Sequence, residues 1–302
     1  MKGGTAAMPQ LRIDNTHRLR GICLSMLSTL LFGVMQSFAR LTGPEITVFE
    51  QSFFCSLTGA FIAAAVLKWE RLPLFGDRRY HPLLLARSAA GYMGLLLSFY
   101  AARNAAQADI TILMRTAMFM ITAASVVLFH ERMNRMYVPV MLLAFAGAFI
   151  AANPKFDSSS LPLLAAFGCA FTNTVAYILV SYFSGRVHPL SVVMAFFSFS
   201  AVAAVPLMWG SFVLPSGWSL FCLAVISLCY SLAQILMTYS YRLLPAGEIS
   251  VYNQSAIFFN AIWGYVFLGE MPGPRTIVGG ALVMAASVLL FLSKRQAANE
   301  TD

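Results

Sequence analysis

Two stretches of this chain are versions of one another: Tyr100–Glu131, YAARNAAQADITILMRTAMFMITAASVVLFHE, and Tyr239–Glu270, YSYRLLPAGEISVYNQSAIFFNAIWGYVFLGE. At an offset of 139 positions Tyr100 falls on Tyr239, Arg103 on Arg242, Asp109 on Glu248 and Ile110 on Ile249. Ala117 then meets Ala256, Phe119 meets Phe258, Val127 meets Val266 and Glu131 meets Glu270. The offset needs no gap across the third to fifth apolar runs against the eighth to tenth. Runs one and two align on six and seven only with gaps. Five spans per copy is an odd number, so the two copies must lie oppositely in a membrane. Inverted repeats of that kind are characteristic of secondary transporters, with the substrate site near the midplane between the halves.

Composition sets the membrane context. Of 302 residues, 59% are apolar and 11% charged, whereas soluble domains run near 45–50% and about 25%. Mean hydropathy is +0.74, which excludes an ordinary water-soluble globule. The net charge of +8 resolves into short loops and forms no basic patch, so no nucleic-acid partner is expected. Cys23, Cys55, Cys169, Cys222 and Cys229 lie in apolar runs without C-x-x-C spacing and read as small buried hydrophobes. No disulfide, metal site or cofactor is expected from them.

A bilayer core of about 30 Å takes about 20 apolar residues per helix. Ten such runs are predicted: Gly21–Phe38, Ile46–Leu67, Leu83–Ala102, Ile110–Phe129, Met136–Ala152, Leu161–Phe183, Leu190–Trp209, Trp218–Tyr239, Ile249–Leu268 and Thr276–Ser293. The fold class is thus an all-α polytopic membrane protein, ten transmembrane helices forming two inverted five-helix repeats around a central cavity. Residues 1–18 are polar and read as a cytoplasmic tail ahead of an uncleaved first span. The first repeat is 19–152, an outer linker 153–160, the second repeat 161–293 and a cytoplasmic tail 294–302. With the N-terminus inside, fifteen Lys and Arg, among them Arg18, Arg20, Arg78, Arg79 and Arg87, fall on the cytoplasmic side. Only Arg40, Arg103, Lys155 and Arg275 fall outside, a clear positive-inside bias. Both termini are expected in the cytoplasm, and the membrane is expected to be the plasma (inner) membrane.

On the helix count, the segment Tyr100-Ala-Ala-Arg-Asn-Ala-Ala and Phe267-Leu-Gly-Glu270, the chain resembles the EamA-like branch of the drug/metabolite transporter superfamily across residues 19–293. Where that family tends to place a proline in spans 4 and 9, this chain has Ala117 and Ala256. The first half reads Leu128-Phe-His-Glu131 where the family usually has Gly-Glu, and Glu50-Gln51-Ser52 where it often has an arginine. The resemblance implies a basket of spans 1–4 and 6–9 around a cavity, spans 5 and 10 peripheral. It also implies transport of small metabolites by alternating access.

Charges inside spans mark function by default. Glu50 and Arg115 sit roughly 6–8 Å into spans 2 and 4 at 1.5 Å per residue, deep enough to pair. In the functional reading Arg115 holds an anionic substrate group and Glu50 is its counter-ion or a proton site. In the other reading they form a fixed ion pair or a snorkelling arginine. A polar stripe runs through Thr111, Arg115, Met118, Thr122 and Ser125, and Asn253, Gln254 and Asn260 lie on or beside the equivalent face of span 9, with Trp263. Further candidates are Gln234 with Ser227, Ser231 and Thr238 in span 8, Tyr92 in span 3, Asn173 and Tyr177 in span 6, and Gln36 with Ser25 and Thr29 in span 1. The repeated pairs Arg103/Asp109 and Arg242/Glu248 read as gate charges or as structural ion pairs with helix-start acids. Ala144, Ala148 and Ala152, with Ala281 and Ala285, allow close helix packing between the halves or between the protomers of a homodimer.

No H-E-x-x-H, G-x-S-x-G or Walker motif is present, and no enzyme is expected. The predicted function is a secondary carrier for a small polar metabolite, anionic or zwitterionic such as an amino acid or organic acid, with proton coupling through Glu50 in view. The alternatives are a carrier for an organic cation or aromatic solute, or a channel-like facilitator.

Overall fold

A bilayer offers no water to backbone polar groups, so a spanning chain must satisfy them within helices or a closed barrel. The computed structural model describes residues 15–43, 45–104, 112–129, 136–154, 160–215, 217–269, 271 and 273–299, and among these there is helix and no strand. The helices are α1 (Asn15–Leu41), α2 (Val48–Trp69), α3 (His81–Asn104), α4 (Ala117–Phe129), α5 (Tyr137–Ala152), α6 (Ser160–Tyr182), α7 (Pro189–Met208), α8 (Gly217–Leu243), α9 (Ala246–Tyr252), α10 (Ala256–Leu268) and α11 (Pro274–Asn299). Seven segments are long and apolar enough to cross a membrane by length and composition: α1, α2, Ile112–Phe129 through α4, α6, α7, α8 and α11. Helices also stand at the three other expected positions: α3 with 24 residues, α5 with only 16, and the run of α9 and α10, which a 3-10 turn at Asn253–Ser255 interrupts.

Helix ends follow the local chemistry. Thr47 and Glu50 form a reciprocal capping box that starts α2, and Pro189 takes the first position of α7. Asn153 and Gly269 end α5 and α10 in the left-handed region, at φ 48° and 67°. Glycine enters that region without a Cβ clash, which accounts for the glycine of Phe267-Leu-Gly-Glu270. Arg275 donates to Asn153 Oδ1 and so ties the start of α11 to the end of α5.

The main packing partners lie in opposite halves. α1 packs on α8, α3 on α6, α2 on α7, α5 on α11 and α4 on α9. Exchanging the two halves leaves this pairing pattern unchanged. The α5–α11 seam brings two backbones close together. A Cβ on Gly147 would stand 2.7 Å from the Gly279 carbonyl oxygen, and Ala144 and Ala148 are fully buried beside it. The small residues of span 5 are therefore spent between the two halves of one chain and do not form a face for a second protomer. Ala281 and Ala285 point outward, and Gly279, Val283 and Ala286 hold the inner face of α11.

Gly279→Leu should lower the melting temperature in detergent, because overpacking such a seam costs about 1–3 kcal/mol. Ala281→Leu, on the exposed face of the same helix, should melt like the wild type.

Candidate functional site

Among the described residues, α3 from the first half and α6, α7 and α8 from the second, with Met114, line a cavity of about 180 Å³. Its walls carry Arg87, Asn173, Tyr177, Phe196, Tyr230 and Gln234. Arg87 is only 3% exposed, and its guanidinium lies 4.1 Å above the centre of the Phe196 ring. Its Nε and Nη1 have no hydrogen-bond partner among the described residues. A buried, unneutralised cation is costly unless something of opposite charge is brought to it. Tyr177 stacks on Tyr241 at 5.3 Å, and Tyr230 packs edge-on to Phe32 and Phe197. Asn173 Nδ2 donates to Cys169 Sγ at 3.3 Å, and Cys169 is itself part of the wall. Glycines make the room. A Cβ at Gly94 would lie 2.8 Å from Asn173 Oδ1, and one at Gly91 3.1 Å from the Phe196 ring.

Three of the expected site residues, Asn173, Tyr177 and Gln234, meet at this cavity; the others are not among its lining residues. Glu50 is the third residue of α2, in the first turn of that span. Its Oε2 accepts from the Thr47 backbone at 2.6 Å and its Oε1 from the Val213 backbone at 2.5 Å. No ion pair joins it to Arg115 among the described residues. Arg115 is half-buried in the helical residues 112–115 ahead of α4, next to the cavity-lining Met114. Asn253, Gln36 and Trp263 serve the contact of α1 with the α9–α10 run. Ser25 Oγ donates to Asn253 Oδ1 at 2.9 Å, Asn260 Nδ2 to Gln36 Oε1 at 3.2 Å, and Trp263 Nε1 to the Leu30 carbonyl at 3.1 Å. Gln254 is buried, its Nε2 donating to the Ser250 carbonyl at 3.4 Å. Tyr92 is buried edge-on to Phe199.

The expected pairing Arg242/Glu248 is replaced by another. Arg18 Nη2 reaches Glu248 Oε1 at 2.6 Å and its Nε reaches the same oxygen at 3.0 Å, while Arg242 is exposed. Arg18 lies in α1, buried beside α9, and not in a solvated tail. Glu248 gains there both the cation and the positive N-terminal end of α9. The first-half pair lies outside the described residues, at Asp109 and at the side chain of Arg103. At the opposite end of α1, Ser219 donates to Glu45 Oε1 at 2.7 Å and holds that carboxyl below its usual range. Trp218 donates to the Leu41 carbonyl beside it, so the end of α1 and the α1–α2 loop are stitched to the start of α8.

Arg87 and Tyr230 are the site residues that the sequence reading misses. The signal for Arg87 was present: it lies within the predicted span Leu83–Ala102, yet was counted among the loop charges. Tyr230 is one turn before Gln234, on the face next to the polar stripe of span 8.

A model of the EamA-like transporter family matches residues 19–153 and again residues 160–292. The pseudopaline exporter CntI of Pseudomonas aeruginosa, in two strains, is 29% identical over 280 residues, covering 91% of this chain and 97% of the exporter. A crystal structure of a further protein shares the fold with a TM-score of 0.78 at 17% identity, over 93% of this chain and 99% of that one.

Glu248→Ala should cost about 3–5 kcal/mol, because it strands Arg18 as a buried charge. Arg18→Met combined with Glu248→Leu should cost less than Glu248→Ala alone. Denaturation of the purified protein in detergent, single variant against double, checks the order.

Proposed function

The chain belongs to the EamA-like transporter family and is a multi-pass membrane transport protein, and we propose that it is a secondary carrier whose cargo binds in the α3–α6–α7–α8 cavity through an anionic group. The observation that carries this reading is the Arg87 guanidinium, buried at the cavity wall without a hydrogen-bond partner for Nε or Nη1 among the described residues. A carboxylate there would supply charge-assisted hydrogen bonds of the strong kind. Asn173 and Gln234 can read a second polar group, an amine or a hydroxyl, and Tyr177 and Tyr230 offer flat surfaces to an apolar body. A small organic acid or amino-acid derivative meets all three demands. A cationic cargo would face Arg87 at short range, which disfavours that alternative.

Ten crossings in two inverted five-helix halves, residues 19–152 and 161–293, fit the repeat and the exchangeable pairing of helices. Alternation of the cavity between the two faces follows from such a scaffold. Both termini lie in the cytoplasm of the plasma membrane in this reading. The positive-inside bias carries the orientation, and it survives removal of Arg18 and Arg87, which are buried. The relative's printed role as an exporter supports outward transport.

A thermal-stability screen of the purified protein against carboxylates, amino acids and amines tests the reading. A ligand at 100 times its dissociation constant should stabilise by about 2.7 kcal/mol. Stabilisation by carboxylates should vanish in Arg87→Gln and persist in Glu50→Gln. Stabilisation by amines that survives in Arg87→Gln would refute the anion site.

A further inference from the structure

The fourth and ninth predicted spans are both broken, and at the same repeat position. Ahead of α4 the helical turn 112–115 stops at Thr116 and helix resumes at Ala117. Ahead of α10 the 3-10 turn Asn253–Ser255 stops at Ser255 and helix resumes at Ala256. Thr116 and Ser255 are equivalent at the offset of 139, as are Leu113 and Tyr252. The hydrogen bonds repeat as well. Thr116 Oγ1 donates to the Leu113 carbonyl at 2.6 Å and Ser255 Oγ to the Tyr252 carbonyl at 2.7 Å.

In an unbroken α-helix these two carbonyls would accept from the backbone N–H of Ala117 and Ala256. Instead the hydroxyl three residues on holds each carbonyl, and the backbone tightens. Thr116 N–H bonds back to Leu113 at 3.1 Å, and Ala256 N–H bonds to Asn253. Back-bonding Ser and Thr bend helices, and single 3-10 turns inside helices mark hinges. The two breaks belong to elements that touch each other. α4 packs on α9, where Thr122 and Ser250 hydroxyls lie 3.2 Å apart. Met114, two residues before the first break, lines the cavity.

We propose that Thr116 and Ser255 are paired hinge residues, each hydroxyl holding open a helix break about which α4 and α10 swing as the cavity changes the side to which it opens. They are positioning residues that touch no cargo, and the inference rests on the alternating-access reading above. The symmetry gives each half one hinge, so that what α4 does in one state α10 does in the other.

The test is pulsed electron spin resonance on the full chain, with a spin-labelled amino acid placed at Val127 and Trp69 in one sample and at Val266 and Trp209 in another. All four positions are exposed. Two distance populations are expected for each pair in the wild type. Thr116→Val should shift the ratio for the first pair, and Ser255→Val that for the second, by about fivefold, the effect of one net hydrogen bond. Thr116→Ser and Ser255→Thr keep the hydroxyl and should keep the wild-type ratios. Adding Ala117→Pro or Ala256→Pro to the valine variants should restore them, because proline at a first helical position removes the N–H that would reclaim the carbonyl. Two populations that ignore the hydroxyls, or a valine shift that proline fails to restore, would overturn the hinge and leave the carrier reading standing. A wild type locked in one population at both pairs would overturn the carrier reading and the hinge together.

Discussion

A polar side chain buried in a bilayer has to find its partner on its own helix or on a neighbouring one, and in this chain the neighbours come from the opposite half. Ser28 of α1 donates to the Ala233 carbonyl of α8, Ser240 of α8 to the Gly21 carbonyl of α1, and Ser231 of α8 to the Cys55 carbonyl of α2. Each such contact is worth only about 0.6–2 kcal/mol. Their distribution matters more than their sum, because they join halves and so fix which helices can face each other. Not every buried polar group is matched in this way, and one charged group that is not lies at the cavity wall. Arg87 sits there with a ring beneath it and, among the described residues, no hydrogen-bond partner for Nε or Nη1.

The same polarity serves two different ends. Along α1 the hydroxyls and amides of Ser25, Thr29 and Gln36 reach Asn253, Ser255 and Asn260 and close one helix contact. Between α3 and α6 the polar groups of Asn173 and Tyr177 face open volume instead, because Gly91 and Gly94 put no side chain there.

This explains what could be read in advance. Long apolar runs and the Tyr100–Glu131 repeat survive in the residues themselves, so helices were predictable at all ten positions. A polar stripe states only that one face of a helix avoids lipid. It does not tell a cavity from a neighbouring helix, which is why Asn253 and Trp263 read as cavity candidates although their hydrogen bonds run to α1. Arg87 stands near the start of its span and so reads as a loop charge. Glu50 could have been read correctly: Thr47-Val-Phe-Glu50 is a capping-box pattern, and the pattern outranks the bare charge. The breaks at Thr116 and Ser255 carry no proline and leave no hydropathy signal. They become visible only through which donor each carbonyl accepts.

The two copies share a scaffold and differ where the cavity is lined. Gly91 and Tyr230 are equivalent at the offset of 139, as are Leu95 and Gln234, and all four line the cavity. Glycine in one copy makes room for tyrosine in the other, so the site is assembled from equivalent positions of α3 and α8. Its charge is not duplicated. The equivalent of Arg87 is Ile226, buried in an apolar cluster with Phe38, Cys55 and Cys222. A symmetric pair of helices can exchange conformations at little cost, since each arrangement is a version of the other. A cargo with one charged end needs an asymmetric lining to be held in a single orientation. Duplication followed by divergence at Arg87, Gly91 and Leu95 meets both requirements within one chain.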